Sequence, residues 1–217
     1  MVYYKTNKHT LLSRFQNHRA RPRTLGAAGF SQLKRPAMPM VLQSPQEENN
    51  MCYSAIAIAN YFIQKALDRG EGITNLRLQK VIYFAHATYY SSKHKRLFDD
   101  PVAAWPLGPV VPNVYYAVKA QGGSLVTDLI PIFVPKEGIC VPLVREDDKE
   151  TLAHLDAISR IFNGVETGKI VALSHQPGGA WYKTLEDKGI NPKDPNLANL
   201  IPRNLTILDD DIETLGK

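Results

Sequence analysis

The chain has 217 residues, of which 44% are hydrophobic and 22% are charged. This length suits one domain with its own hydrophobic core, or one domain and an extension. Two cysteines cannot build a disulfide scaffold, and no apolar run reaches the roughly 18 residues of a membrane-spanning helix. Composition therefore argues against a disulfide-rich secreted protein or a membrane-spanning protein, and we expect a cytoplasmic protein without membrane contact.

The net charge of +5 is unevenly distributed. Residues 1–50 contain eight Lys and Arg against two Asp and Glu, whereas residues 51–217 contain 18 against 19. The first segment has no hydrophobic period, so we expect a disordered basic extension. Three interpretations stay open. It is an arm that contacts nucleic acid weakly and without specificity, an Arg-rich organellar presequence, or an upstream extension of a reading frame that starts at Met38, Met40 or Met51.

An αα-hairpin is predicted at the start of residues 51–217. The stretch "SAIAIANYFIQKALDRG" has apolar residues at helical spacing between a serine N-cap and a glycine stop. The stretch "TNLRLQKVIYFAHATYY" follows a short link and repeats this pattern, which predicts a second helix packed on the first. The flank opposite its apolar stripe carries Gln79, Tyr83 and His86, which are large hydrogen-bonding groups.

A Pro/Gly-rich loop is predicted within "AAWPLGPVVPNVYYAVK", residues 103–119. Its prolines exclude an ordinary helix and a central strand, and the last one suits the first turn of a short helix. Two interpretations follow. Rigidity lowers the entropy cost of presenting Trp105, Val110, Val111 and Tyr115 to a partner. Alternatively, the two valines are core residues and the polar flank of the preceding helix packs against this loop.

The remaining residues predict a small β-hairpin and further helices. Residues 124–145 alternate in hydrophobicity around a turn at residues 136–138, and their prolines confine the strands to edges. Helical patterns follow at residues 148–163 and 167–174, before a "HQPGGAW" loop that contains His175 and Trp181. The fold class expected is a predominantly helical α+β single domain with an αα-hairpin, a Pro/Gly-rich loop and a small β-hairpin, preceded by the disordered arm.

Catalytic and metal-binding motifs are not recognisable. The six histidines form no HExxH or H-x₃-H pair, the cysteines form no CxxC, and no GxGxxG, Walker A or GxSxG motif is present. A nucleophilic pair of Cys140 with His154 or His175 stays open, although a buried thiol that packs as a small hydrophobe explains this cysteine better. We expect no enzymatic activity, no cofactor and no metal ion.

Three blocks resemble the Panacea domain of SocA-like antitoxins: "ITNLRLQKVIYFAHATYY", "LFDDPVAAWPLGPVVPNVYYAVK" and "LSHQPGGAWYKT". They lie within residues 54–186, in the order and spacing of that family. The resemblance implies a mainly helical α+β domain that neutralises a toxin encoded beside it by direct binding. Two alternatives remain: an adaptor that delivers a toxin or another client to a AAA+ protease, and a DNA-binding autorepressor that uses the basic arm.

A partner-binding surface is predicted from the Pro/Gly-rich loop, the polar flank of the second helix and the "HQPGGAW" loop. Tyrosine and tryptophan serve equally as core residues and as interface anchors, so both interpretations hold for the aromatic members. The candidate residues are Gln79, Tyr83, His86, Trp105, Val110, Val111, Tyr115, His175 and Trp181.

Overall fold

A computed structural model of the chain describes residues 3–5 and 52–213. The elements in chain order are β1 (Tyr3–Lys5), α1 (Ala55–Asp68), β2 (Ile73–Thr74), α2 (Asn75–Lys93), β3 (Ala103–Trp105), β4 (Gly108–Val110), α3 (Pro112–Val118), β5 (Leu125–Val126), β6 (Ile132–Val134), β7 (Gly138–Leu143), α4 (Lys149–Phe162), α5 (Thr167–Ser174), α6 (Ala180–Glu186), α7 (Leu197–Leu200) and α8 (Asp209–Glu213). A 3₁₀ turn, Lys119–Gln121, follows α3. The predicted helical α+β fold is confirmed.

The αα-hairpin of α1 and α2 begins at the predicted N-caps. The Ser54 hydroxyl accepts a hydrogen bond from the Ala57 N–H (3.3 Å), and the Thr74 hydroxyl accepts one from the Arg77 N–H (3.3 Å). Each bond satisfies one of the N–H groups that a helix leaves unpaired in its first turn. Helix α2 ends at His94, which adopts a left-handed backbone conformation.

Helix α2 is the central helix of the domain and is buried on every side along its middle. Every residue from 78 to 87 is buried, including Gln79, Lys80 and His86. This segment is enclosed because α2 packs against α1, α3, α4, α5, α8 and β4. A polar flank on such a helix faces other protein segments, not water.

The strands form small antiparallel sheets. One has the order β1-β7-β6, with β6 and β7 paired as a hairpin, as residues 124–145 predicted. Another is the β3–β4 hairpin, which lies inside the segment expected to be a loop. Its strands are three residues long, and Pro109 stands opposite Ala104. A sheet this narrow accepts a proline that a central strand would exclude.

A third strand flanks this hairpin. Thr206 pairs with Ala103. The Ala104 N–H donates to the Leu205 carbonyl (2.9 Å), and the Ile207 N–H donates to the Val102 carbonyl (2.8 Å). We call residues 205–207 the closing strand.

The basic extension falls mainly outside the described residues. Of residues 1–50, the structure describes only β1, which pairs with residues 141–143 of β7. The expected disorder of this extension therefore stays a prediction. Within the described ranges, no helix combines the length and the apolar character needed to cross a bilayer.

Candidate partner-binding site

Three aromatic rings pack together near the surface, and an exposed leucine follows one of them by two residues in the chain. The Trp105 ring centroid lies 4.9 Å from that of Tyr115 and 6.2 Å from that of Tyr116, and the two tyrosine rings are 5.4 Å apart. Leu107 occupies the turn between β3 and β4. Leu107 is 64% exposed and Tyr116 is 60% exposed, whereas Trp105 and Tyr115 are half-buried. We call these four residues the aromatic patch.

Gly108 allows the hairpin to lie against the interior. Its φ of +93° is one that residues with side chains rarely adopt. A Cβ atom at this position would lie 2.7 Å from Lys80 Nζ, 2.8 Å from His175 Cε1 and 2.9 Å from Ser174 Oγ. Both the turn and the close approach of α2 and α5 therefore require glycine here.

Side chains from α2 and α6 hold the hairpin from behind. Lys80 Nζ donates to the Pro109 carbonyl (2.8 Å), and Gln79 Oε1 accepts from the Val111 N–H (2.8 Å). Trp181 Nε1 donates to the Trp105 carbonyl (2.9 Å). Buried backbone groups that lack a partner destabilise a fold, so these bonds let the hairpin enter the interior. We call Gln79, Lys80 and Trp181 the polar clamp.

The charge state of the polar clamp is set by burial. The Lys80 side chain is fully buried, and this burial lowers its pKa from 10.5 to about 7. The neighbouring His175 has a pKa below its usual value, first because of burial and also because of the Lys80 charge. His175 Nδ1 donates to the Val171 carbonyl (2.7 Å), and its ring centroid lies 4.2 Å from that of Trp181.

The structure divides the predicted site residues by burial. Three are half-buried near the hairpin: Trp105, Tyr115 and His175. Six are buried: Gln79, Tyr83, His86, Val110, Val111 and Trp181. These six side chains are buried in this conformation because α2 is central and the hairpin turns inward, and their contact with a partner stays a prediction. The other interpretation, with core valines and a polar flank packed against the loop, matches these positions.

His86 lies apart from the polar clamp, at the contact between α2 and α8. Its ring centroid lies 4.2 Å from that of Phe98, and its Nε2 lies 3.8 Å from Asp209 Oδ1. Burial lowers its pKa to about 4, so the imidazole is neutral near pH 7. This residue belongs to helix packing and not to the patch.

Leu107 and Tyr116 were missed as candidates. Tyr116 falls outside the buried positions 114 and 118 of α3, which is a signal that the sequence contains. Leu107 stands between a proline and a glycine, where the sequence pattern indicates a turn and does not indicate a contact residue. Spacing in α3 and turn chemistry would together have pointed to both.

The residues considered for chemistry are not brought together. Cys140 Sγ contacts the Gly138 carbonyl (3.8 Å), His154 Nε2 lies 2.9 Å from the Ala85 carbonyl, and His175 bonds as above. Neither histidine is hydrogen-bonded to the thiol in the part of the chain that the structure describes. The same part holds no group of three His, Cys, Asp or Glu side chains placed to bind a metal ion.

Comparison with known proteins finds a family model and a relative that are similar to this chain. No solved structure is significantly similar to the chain. Residues 78–182, which run from α2 into α6 and contain the hairpin and the polar clamp, match the family "Antitoxin SocA-like, Panacea domain". The chain is also 29% identical to "Antitoxin SocA" of Caulobacter vibrioides (strain NA1000 / CB15N) over 154 residues, which is 71% of this chain and 79% of that protein. Residues 78–182 therefore match the Panacea domain of SocA-like antitoxins, and the chain is similar to an antitoxin over 71% of its length.

Proposed function

We propose that this protein is the antitoxin of a toxin–antitoxin pair and neutralises its cognate toxin by binding it through the aromatic patch. Its similarity to Antitoxin SocA supports the role. The observation that carries the choice of surface is the exposure of Leu107 and Tyr116 beside Trp105 and Tyr115. Tyrosine and tryptophan dominate the binding energy of protein interfaces, because they combine a large apolar area with a polar group.

The polar clamp supports this choice of surface. Ordering a flexible side chain at an interface costs about 0.5–1.5 kcal/mol. Here the Trp105 carbonyl is fixed by Trp181, the Pro109 carbonyl in β4 is fixed by Lys80, and the Val111 N–H after the hairpin is fixed by Gln79. The patch is therefore ordered before a partner arrives, and a partner that docks on it loses less entropy.

Neutralisation by this surface is stoichiometric. The patch offers apolar area and phenol hydroxyls, and its rings pack edge-on against one another. A partner suited to it presents an apolar face with hydrogen-bonding groups at its rim. We propose that the toxin is masked by this contact and stays intact in the complex.

The experiment pairs the protein with the product of the gene beside its own. That product is expressed alone and together with the full chain, and growth, complex formation and toxin level are measured. We expect the neighbouring product to arrest growth when it is expressed alone. We expect the full chain to restore growth and to co-purify with that product. Leu107→Ser and Tyr116→Ala are each expected to weaken binding by about 2 kcal/mol or more, near 30-fold, if they are anchors.

Phe133→Ala is the matched control. Phe133 lies in the β1-β7-β6 sheet and is 74% exposed, so this change also removes an exposed ring. We expect it to rescue growth like the unchanged chain, while circular dichroism shows that all variants fold. If both patch variants rescue growth and Phe133→Ala does not, the toxin binds the β1-β7-β6 sheet and not the aromatic patch. Disappearance of the toxin in place of a stable complex would favour the protease-adaptor role.

A further inference from the structure

Lys80 is a fully buried lysine without a carboxylate partner among the described residues. Its Nζ makes one hydrogen bond there, to the Pro109 carbonyl at 2.8 Å. An ammonium group has three N–H donors, and a charge held in an apolar interior without a counter-ion is strongly disfavoured. The neutral amine needs fewer partners and carries no charge. Burial thus lowers the pKa of Lys80 to about 7, which places its titration at neutral pH.

The groups that face Lys80 do not supply a compensating charge. Strand β4 brings Gly108 and Pro109, which do not titrate. Helix α5 ends at Ser174, and His175 directly after it has a pKa lowered first by burial, so its imidazole is neutral near pH 7. Tyr83, one turn along α2, has a pKa raised above its usual range by burial and is neutral. Protonation of Lys80 therefore creates an unpaired charge directly behind the β3–β4 hairpin.

We propose that Lys80 is a positioning residue that makes presentation of the aromatic patch depend on protonation. With the neutral amine, the hairpin packs against α2 and α5 as in the structure. With the ammonium, the hairpin moves outward so that water reaches Nζ. The switch itself stands on this geometry, and only its effect on toxin binding rests on the proposed function.

The two tryptophans of the chain report on this movement. Trp181 Nε1 bonds to the Trp105 carbonyl at 2.9 Å, and the Trp181 ring contacts His175. Outward movement of the hairpin breaks the indole hydrogen bond and changes the surroundings of both rings. The two indole N–H signals in a ¹H–¹⁵N NMR spectrum of the full chain therefore follow the hairpin without any partner present.

The test is a pH titration of these signals from about pH 5.5 to 9. We expect the Trp181 indole signal to shift with a midpoint near pH 7. Lys80→Gln keeps a donor for Pro109 but cannot titrate there, so its signal should stay at the high-pH position throughout. Lys80→Met should also remove the transition. Lys93→Met, which changes an exposed lysine paired with Glu150, and His175→Gln should both retain it.

The affinity for the toxin at different pH values is the second measurement. If only the molecules with a neutral Lys80 bind, affinity at pH 6 should be about tenfold weaker than at pH 8, because about a tenth of them are competent one unit below the pKa. Lys80→Gln should bind equally at both pH values. A flat wild-type indole titration, or one unchanged in Lys80→Gln and Lys80→Met, overturns the switch. An indole transition without any toxin capture overturns the proposed function instead and leaves the switch standing.

Discussion

Gly108 and Lys80 occupy adjoining positions behind the hairpin, and each limits what the other can be. The Lys80 ammonium or amine fills the space that a Cβ at Gly108 would need, at 2.7 Å. The backbone of Gly108, at φ +93°, also lies where side chains are strained. A single methyl group at this position would therefore disturb the turn and the polar clamp together.

The first prediction concerns this glycine. Gly108→Ala should lower the free energy of unfolding by about 1–3 kcal/mol, because it adds backbone strain and a close contact. Gly123→Ala is the control, since a Cβ there meets no atom within 4 Å. Urea unfolding followed by circular dichroism measures both. Equal stability of the two variants would show that the hairpin adapts without cost.

Sequence reasoning succeeded where the signal was local and failed where it depended on distant contacts. Ser54 and Thr74 are predicted N-caps, and each accepts the expected backbone N–H. For Gln79, burial against the loop and contact with a partner both stayed open, and the burial of Lys80 was not predictable in this way. Their partners, Val111 and Pro109, lie about thirty residues away, and polar residues usually mark a solvated face.

At the scale of elements, the closing strand connects the hairpin to the last part of the domain. Its backbone pairs with β3, while the side chains of Leu205 and Ile207 are buried in the core. Helix α8 follows and packs against α2 and α6. The hairpin is therefore held on one side by the polar clamp and along one edge by a strand from much later in the chain.

The second prediction compares two neighbours on this segment. Ile207 is 6% exposed and Leu208 is 63% exposed, so the two truncations differ mainly in burial. Ile207→Ala should cost about 2–5 kcal/mol of unfolding free energy, because it removes buried methyl groups and leaves a cavity. Leu208→Ala should stay within about 0.5 kcal/mol of the unchanged chain. Urea unfolding of the full chain decides. A small effect of Ile207→Ala would mean that the closing strand is dispensable.

At the scale of the molecule, polar ties join the elements around central helix α2. The hydroxyl of Tyr53 donates to Asp148 at 2.7 Å, and that of Tyr61 donates to Asp156, so α4 is attached to α1 and to the segment before it. The Arg77 guanidinium donates to the carbonyls of Phe162 and Val165, at the end of α4. These hydrogen bonds join separate elements, and the hydrogen bond of Lys80 to the Pro109 carbonyl adds one whose donor titrates.

The third prediction follows from that titration. The pKa of Lys80 is about 7 in the folded chain, against 10.5 for an ordinary lysine. Between these values the unfolded chain holds a proton that the folded chain lacks, so stability rises as pH increases from about 7 to 10. The contribution of this group reaches about 1.4 kcal/mol per pH unit. This change of stability with pH is absent below about pH 7, where Lys80 is protonated in both the folded and the unfolded chain.

Chemical unfolding at a series of pH values checks this sign. The difference in unfolding free energy between the unchanged chain and Lys80→Met should change with pH in this window, in favour of the unchanged chain at high pH. Lys93→Met supplies the comparison for an exposed lysine. A difference that stays constant from pH 7 to 10 would show that Lys80 keeps its proton in the folded state.

The pairing of Ala103 with Thr206 also sets an order of events during protein synthesis. The ribosome makes β3 and β4 before the closing strand, so the nascent hairpin has an open edge until the closing strand is made. Chains fold as domain units, and exposed strand edges attract other chains. An interrupted translation product would carry all four residues of the aromatic patch without the edge strand that completes their support. A partner-binding surface on this hairpin, as proposed above, would then be fully supported only after the closing strand has been made.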